Sequence, residues 1–295
     1  MRHFYIYPLL TILTSLLLLQ TGEVVAQDRA GVDQVQADTT EVNGIEIYYR
    51  KVGSGPPVLL LHGFTGVGSW WDPLVEDLSR ENTLIIPDLP GHGRSTVRPG
   101  PYRFSQASAD LFAMMDKLGI DRFNVIGYSA GGITLLHMAT QEPHRIKAMS
   151  VVAAPHVLTE SNRERLRNWP SFEEWDEGTR EYWFDVHPGG EDQVRTLLEA
   201  MRGMASDGDE MNFTLEDLSC IEARTLLVTG DRDSLVPLDL ANEMYDAIPD
   251  AALWVVPWQG HSPLLPDWGG SREAKQIFPD LVQKLLGLLD DDNDS

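Results

Sequence analysis

Short, largely apolar runs recur along this chain, and stretches with helical character separate them. The run Val58-Leu59-Leu60-Leu61 is typical, because a strand buried on both faces is apolar at every position. Similar runs lie at 83–86, 123–126, 146–153, 225–229 and 253–256, and helical stretches lie at 70–79, 106–118, 132–140, 238–247 and 274–289. This alternation predicts an α/β fold with a mostly parallel, doubly wound sheet that has helices on both faces.

One segment interrupts the alternation. Residues 157–217 are polar and helical in character, and they carry three tryptophans, Trp169, Trp175 and Trp183. We interpret this segment as a helical cap inserted over the sheet. The sequence thus predicts a core in two parts, at 42–156 and 218–289, with the cap at 157–217 between them. An acidic tail follows at 290–295.

The N-terminus has the features of an export signal. An apolar run at 4–19 follows a weakly basic start, and Val24-Val25-Ala26 places small or branched residues at a signal-peptidase site before Gln27. We predict a signal peptide at 1–26 and a polar spacer at 27–41, and therefore a periplasmic or extracellular protein without a stable membrane anchor after cleavage. An uncleaved anchor is the alternative, but the run is shorter than the roughly 20 residues that span a bilayer.

The overall composition excludes several classes of partner and cofactor. The 295 residues include 23 Lys and Arg against 45 Asp and Glu, a formal net charge of −22. A negative net charge repels a phosphate backbone, so we expect no nucleic-acid partner. A single cysteine and scattered histidines indicate neither a disulfide framework nor a metal site. The pair Gly53 and Gly55 precedes a strand rather than a helix, so no dinucleotide cofactor is expected.

A candidate nucleophile follows the apolar run at 123–126. The sequence GYSAGG at 127–132 matches G-x-S-x-G and leads directly into a helical stretch, which is the strand–turn–helix context that this motif requires. The glycines let the chain turn sharply around Ser129. A serine hydroxyl is a weak nucleophile until a base takes its proton, so the motif calls for a histidine and an acid further along the chain.

Both partners are present in the expected order. Asp231 and Asp233 follow the run at 225–229, and His261 follows the run at 253–256. Each candidate therefore comes after a predicted parallel strand, at the same edge of the sheet as Ser129. The residues alone leave the choice between the two aspartates open.

Three further motifs identify a family. The segments HGFTG at 62–66, DLPGHGRS at 88–95 and GDRD at 230–233 resemble the oxyanion loop, the turn after strand four and the acid turn of α/β-hydrolases. Over 42–289 the chain is thus similar to the capped, esterase-like serine hydrolases of the α/β-hydrolase superfamily. This resemblance implies Ser129 as nucleophile, His261 as base and Asp233 as acid, with the backbone N–H groups of Phe64 and Ala130 as the oxyanion hole.

The resemblance implies an exported hydrolase of a small carboxylic ester, without a cofactor. A lactonase, a C–C bond hydrolase or a perhydrolase would use the same triad, and a non-catalytic small-molecule binding protein is the alternative of a different class. Epoxide hydrolases and dehalogenases are disfavoured because they carry Asp where this chain has Ser129. The cap tryptophans are either substrate-binding residues or cap packing, and Trp70 and Trp71 are interpreted as helix core. Oligomeric state is not predicted.

Overall fold

The computed structural model describes residues 35–206 and 210–263, together with Gly287. The predicted signal peptide at 1–26 and acidic tail at 290–295 lie outside the described residues, as does the predicted helix at 274–289 apart from Gly287. In the part of the chain that is described, no helix is both long and apolar enough to cross a membrane.

The core is one sheet of eight strands in the order β1-β2-β4-β3-β5-β6-β7-β8. The antiparallel pairs are β1 with β2 and β2 with β4, and the remaining pairs are parallel. The strands are β1 (Gln36–Val42), β2 (Ile45–Val52), β3 (Pro57–Leu61), β4 (Thr83–Pro87), β5 (Phe123–Tyr128), β6 (Ile146–Val152), β7 (Arg224–Gly230) and β8 (Ala251–Val256). The prediction of a mostly parallel sheet is confirmed.

Helices cover the two faces of this sheet. They are α1 (Asp72–Leu78), α2 (Phe104–Lys117), α3 (Ala130–Gln141), α4 (Glu160–Arg167), α5 (Glu177–Val186), α6 (Gly190–Gly203), α7 (Leu215–Ser219) and α8 (Leu238–Ala247). Leu59 and Leu61 of β3 pack in one buried cluster with residues of α2, α3 and α8. Val58 and Leu60 pack in a second cluster with residues of α1. Successive side chains of a strand point to opposite faces, which is why the run 58–61 has no polar position.

The structure corrects the predicted spacer at 27–41. Strand β1 already begins at Gln36, and it pairs with β2 from Gln36 opposite Lys51 to Val42 opposite Ile45. All but the last of its side chains are at least partly exposed, so this edge strand is held by backbone pairing and carries no apolar period. The turn between the two strands is an Asn-Gly hairpin, with positive φ angles of 47° at Asn43 and 79° at Gly44.

The helices α4, α5 and α6 form a cap between β6 and β7. Apolar side chains of α5, of α6 and of the segment between α4 and α5 make a small cluster, which contains Phe172, Trp183, Val194, Leu197 and Leu198. Phe64, from the loop after β3, packs against this cluster. The cap is therefore a packed unit seated over the loops that follow the strands.

Candidate active site

Ser129 lies on a sharp turn between the end of β5 at Tyr128 and the start of α3 at Ala130. Its backbone has φ 52° and ψ −117°, a strained conformation for a residue with a side chain. A Cβ added to Gly127 would lie 2.5 Å from the carbonyl oxygen of Gly131, and one added to Gly131 would collide with the carbonyl oxygen of Leu61. Glycine at both positions therefore allows the turn that lifts Ser129 above the sheet.

His261 links Ser129 to an acid. The Nε2 atom of His261 lies 2.9 Å from Ser129 Oγ, and its Nδ1 lies 2.9 Å from Asp233 Oδ2. An ionised carboxylate can only accept, so the proton of the neutral imidazole is on Nδ1. Nε2 is then the acceptor that faces the serine hydroxyl, which is the arrangement a general base needs.

Asp233 is fixed on both of its oxygens. Oδ1 accepts hydrogen bonds from the backbone N–H groups of Leu235 (2.8 Å) and Val236 (3.1 Å), and the side chain is fully buried. Asp231 is exposed and instead accepts from the backbone N–H of Gln259 at 3.2 Å. The structure thus places Asp233, and not Asp231, against the imidazole.

Phe64 and Ala130 lie beside Ser129, and both line the same cavity as the serine. Ala130 is the first residue of α3, so its N–H has no acceptor within the helix and lies at the positive end of the helix dipole. Phe64 follows Gly63, where an added Cβ would be only 3.3 Å from Ser129 Cβ. The positions of Phe64 and Ala130 suit their backbone N–H groups to the role of hydrogen-bond donors close to the nucleophile.

A buried histidine supports the loop that carries Phe64. His62 donates from Nδ1 to the carbonyl oxygen of Gly63 (2.8 Å) and accepts at Nε2 from the N–H of Leu89 (2.9 Å). Complete burial lowers the pKa of His62 to about 4, so the ring stays neutral and keeps this donor–acceptor pattern. His62 therefore joins the loop after β3 to the turn after β4.

A second histidine joins the cap to these loops. His187, which follows α5, accepts at Nδ1 from the N–H of Gly93 (2.9 Å) and donates from Nε2 to the carbonyl oxygen of Thr65 (3.1 Å). Burial lowers the pKa of His187 as well. Sequence reasoning assigned His187 no role, because only the fold brings it 94 residues back to Gly93.

Ser129 and His261 open onto a cavity of about 300 Å³ between the sheet and the cap. Most of its lining is apolar. The sheet side contributes Phe104 and Ile133, and the cap side contributes Leu158, Leu166, Trp169, Met201, Met204 and Met211. Such a wall with a few polar groups at one end is typical of sites for small apolar molecules.

The structure separates the three cap tryptophans. All three pack in or against the cap cluster, but only Trp169 of the three also lines the cavity. The ring centroids of Trp175 and Trp183 lie 4.6 Å apart. Of the two interpretations that the sequence left open for these residues, the cavity position of Trp169 fits substrate binding, and the positions of Trp175 and Trp183 fit cap packing. Trp70, interpreted as helix core, lines the cavity and donates from Nε1 to the hydroxyl of Tyr182 at 3.2 Å.

Within residues 35–206 and 210–263, no group of three or more His, Cys, Asp and Glu side chains is arranged to hold a metal ion.

Comparisons with known proteins agree with this fold. A family model described as "alpha/beta hydrolase fold" matches residues 56–190. A pimeloyl-(acyl-carrier protein) methyl ester esterase from Chromobacterium violaceum is 28% identical over 244 residues, which cover 75% of this chain and 93% of the relative. A 2-hydroxy-6-oxo-2,4-heptadienoate hydrolase from Pseudomonas putida is 28% identical over 242 residues, which cover 74% of this chain and 87% of the relative.

A solved structure extends the likeness to the three-dimensional fold. A thermophilic esterase from Thermogutta terrifontis, with malate bound, superposes with a TM-score of 0.64 at 26% identity, and the match covers 88% of this chain and 100% of that one. The chain thus shares both sequence and architecture with hydrolases of different substrates.

Proposed function

We propose that the chain is a hydrolytic enzyme of the α/β-hydrolase superfamily and that it cleaves small carboxylic esters through Ser129, His261 and Asp233. The observation that supports this proposal most directly is the continuous hydrogen-bonded chain from Asp233 through His261 to Ser129 at the floor of an apolar cavity. The named hydrolases among its relatives support the reaction class.

The proposed reaction has two steps. Ser129 Oγ attacks the ester carbonyl carbon while His261 Nε2 takes the hydroxyl proton, and the same nitrogen then gives the proton to the departing alcohol. Water, activated in turn by His261, cleaves the acyl-enzyme and releases the acid. The N–H groups of Phe64 and Ala130 hold the oxyanion in both steps, and removing one such donor typically costs about 2.7–4 kcal/mol of transition-state stabilisation.

The cavity wall favours an uncharged acyl group. Three cap arginines near the cavity could in principle attract an anion, but each has another partner. Arg163 donates to the carbonyl oxygen of Ala205 (3.1 Å), Arg165 to Ser234 Oγ (3.0 Å) and Arg167 to Glu160 (3.0 Å). A net charge of −22 also repels anions from the protein as a whole. We therefore propose neutral, apolar acyl chains as substrates.

We also propose that the enzyme acts after export, with residues 1–26 removed. The apolar run at 4–19 and the Val-Val-Ala sequence before Gln27 support this location. Expression of the full chain in a bacterium with a periplasm, followed by fractionation and N-terminal sequencing, tests it. Gln27 as the first residue of a periplasmic product is the expected result, and an unprocessed chain in the cytoplasm would contradict the proposal.

The test of the reaction is hydrolysis of p-nitrophenyl esters from acetate to palmitate by the wild type and by Ser129→Ala. We expect a chain-length optimum for the wild type and a loss of several orders of magnitude in kcat for the variant, as is typical for a triad nucleophile. A fluorophosphonate should label the wild type at Ser129 and leave the variant unlabelled. Equal, slow turnover by both proteins and no labelling would overturn the proposal.

A further inference from the structure

Tyr128 is the residue before the proposed nucleophile, and its side chain touches two other loops of the site. The Tyr128 hydroxyl lies 2.8 Å from Ser262 Oγ, and Ser262 directly follows His261. The edge of the Tyr128 ring lies against Gly63 in the loop after β3, since a Cβ on Gly63 would be 2.9 Å from Tyr128 Cε1. One side chain therefore contacts the neighbours of both His261 and Phe64.

The backbone of Tyr128 is rigidly placed. It is the last residue of β5 and pairs with Val152 of β6, and only 6% of the residue is exposed. The loop that carries His261 lacks such support from secondary structure, because β8 ends at Val256 and His261 follows five residues later. The hydrogen bond between the fixed Tyr128 hydroxyl and Ser262 thus restrains the residue that directly follows His261.

We propose that Tyr128 is a positioning residue, whose hydroxyl bond to Ser262 holds His261 Nε2 at hydrogen-bonding distance from Ser129. This inference rests on the proposed function of Ser129 and His261. Burial raises the pKa of the Tyr128 phenol to about 12, so the hydroxyl keeps its proton, and the bond persists, throughout the range in which the enzyme would be assayed.

Tyr128 and Ser262 also line the cavity, so direct contact with substrate is the competing role. The two roles predict different kinetics. A group that orients the base changes kcat and leaves KM nearly unchanged, whereas a group that binds substrate equally in the ground and transition states changes KM. Two groups that act through one bond are also non-additive, since removing either partner already breaks it.

The experiment compares Tyr128→Phe, Ser262→Ala, their double variant and Ser262→Thr in steady-state hydrolysis of p-nitrophenyl butyrate. Because a small displacement of a catalytic group can lower the rate about a hundredfold, we expect each single variant to lose about ten- to a hundredfold in kcat, with KM within about twofold. The double variant should lose no more than the larger single variant. Ser262→Thr, which keeps the hydroxyl, should recover most of the rate.

The control is Tyr49→Phe, a change at a buried tyrosine of β2 that does not line the cavity, and it should leave kcat unchanged.

The rate of fluorophosphonate labelling separates this inference from the proposed function. Wild type that fails to label would overturn the function itself. Wild type that labels, with Tyr128→Phe labelling equally fast, would overturn the positioning role. Additive losses in kcat for the double variant, or a rise confined to KM, would also overturn the positioning role. If Tyr128→Phe lowers the melting temperature, the positioning role is judged from Ser262→Ala and Ser262→Thr instead.

Discussion

Asp233 uses its two carboxylate oxygens for different purposes: Oδ2 lies 2.9 Å from His261 Nδ1, and Oδ1 accepts the backbone N–H groups of Leu235 and Val236. The backbone bonds fix the carboxylate, and the carboxylate in turn fixes the tautomer and the orientation of the imidazole. Asp231, two residues earlier, has neither relationship and lies exposed. This difference between two nearby aspartates leads to a matched pair of substitutions.

We expect Asp233→Asn to lower kcat by about 10⁴-fold, and Asp231→Asn to change it little. An asparagine at 233 keeps an oxygen for the backbone donors but presents an N–H group to His261 Nδ1. The imidazole then carries its proton on Nε2 and cannot accept the proton of Ser129. Steady-state kinetics on one ester measure both variants, and a larger loss for Asp231→Asn would contradict the role given to Asp233.

A second matched pair concerns the cap tryptophans. Trp169→Ala enlarges the cavity, so the activity ratio of octanoate to butyrate ester should rise about tenfold, since one methylene in an apolar pocket is worth roughly that factor or more. Trp183→Ala leaves the cavity wall intact and instead opens a hole in the cap cluster. We expect it to lower the free energy of unfolding by about 3–5 kcal/mol with the chain-length optimum unchanged.

Kinetics across the ester series and denaturant unfolding check these two variants. The distinction would fail if Trp183→Ala shifted the optimum as much as Trp169→Ala does. In that case the aromatic cluster would control the shape of the cavity from a distance, and the separation of the two tryptophans would have no functional meaning.

Stability should fall as the pH is lowered from about 6.5 toward 5. Burial lowers the pKa of His62 to about 4 and lowers that of His187 too, while an unfolded histidine titrates near 6.5. Between these values the unfolded state binds more protons, so the free energy of unfolding decreases as the pH falls. This stability is fully present above about 6.5 and is lost progressively as the pH approaches the folded values.

Most carboxylates stay ionised above about pH 5, so their titration does not obscure this window. Denaturant unfolding at about pH 7.5 and 5.5 measures the effect. His62→Gln should reduce the difference between the two pH values, and His144→Gln, a change at an exposed position, should leave it as in the wild type. Equal stability of the wild type at both pH values would show that these rings do not control it.

The sequence was sufficient to predict the sheet and to place a candidate serine, acid and histidine at one edge of it, because each follows a largely apolar run and parallel strands end at a common edge. The choice of Asp233 over Asp231 came from the resemblance to α/β-hydrolases. The sequence was insufficient where tertiary contacts decide. Strand β1 has no apolar period because it lies at the edge of the sheet with mostly exposed side chains, where backbone pairing with β2 holds it. Whether a cap tryptophan lines the cavity, as Trp169 does, or packs inside the cap, as Trp183 does, depends on how α5 packs. The sequence around a tryptophan does not distinguish these two positions.

The contact of Tyr128 with Ser262 joins residues 134 positions apart, and nothing in the local pattern of either segment indicates it. The same holds for His187, whose partners Thr65 and Gly93 lie in other loops. A signal was available only at Gly63, where a glycine beside a catalytic loop indicates that another group approaches closely. That approaching group is the ring of Tyr128.

Gly63→Ala tests this approach directly. The added methyl group would lie 2.9 Å from Tyr128 Cε1 and 3.0 Å from Cδ1, and 3.3 Å from Ser129 Cβ, so either the ring or the loop must move. The ring is buried on a fixed strand end, and the loop carries Phe64.

We therefore expect the loop to shift in Gly63→Ala. The free energy of unfolding should fall by about 1–3 kcal/mol from overpacking, and kcat should fall about ten- to a hundredfold. Gly203→Ala, at the end of α6, is the control, because beyond its chain neighbours and the backbone of its own helix no atom lies within 4 Å of the added methyl group. A Gly63→Ala variant with wild-type kcat would mean that the loop tolerates the methyl group and that the ring of Tyr128 does not determine where Phe64 lies.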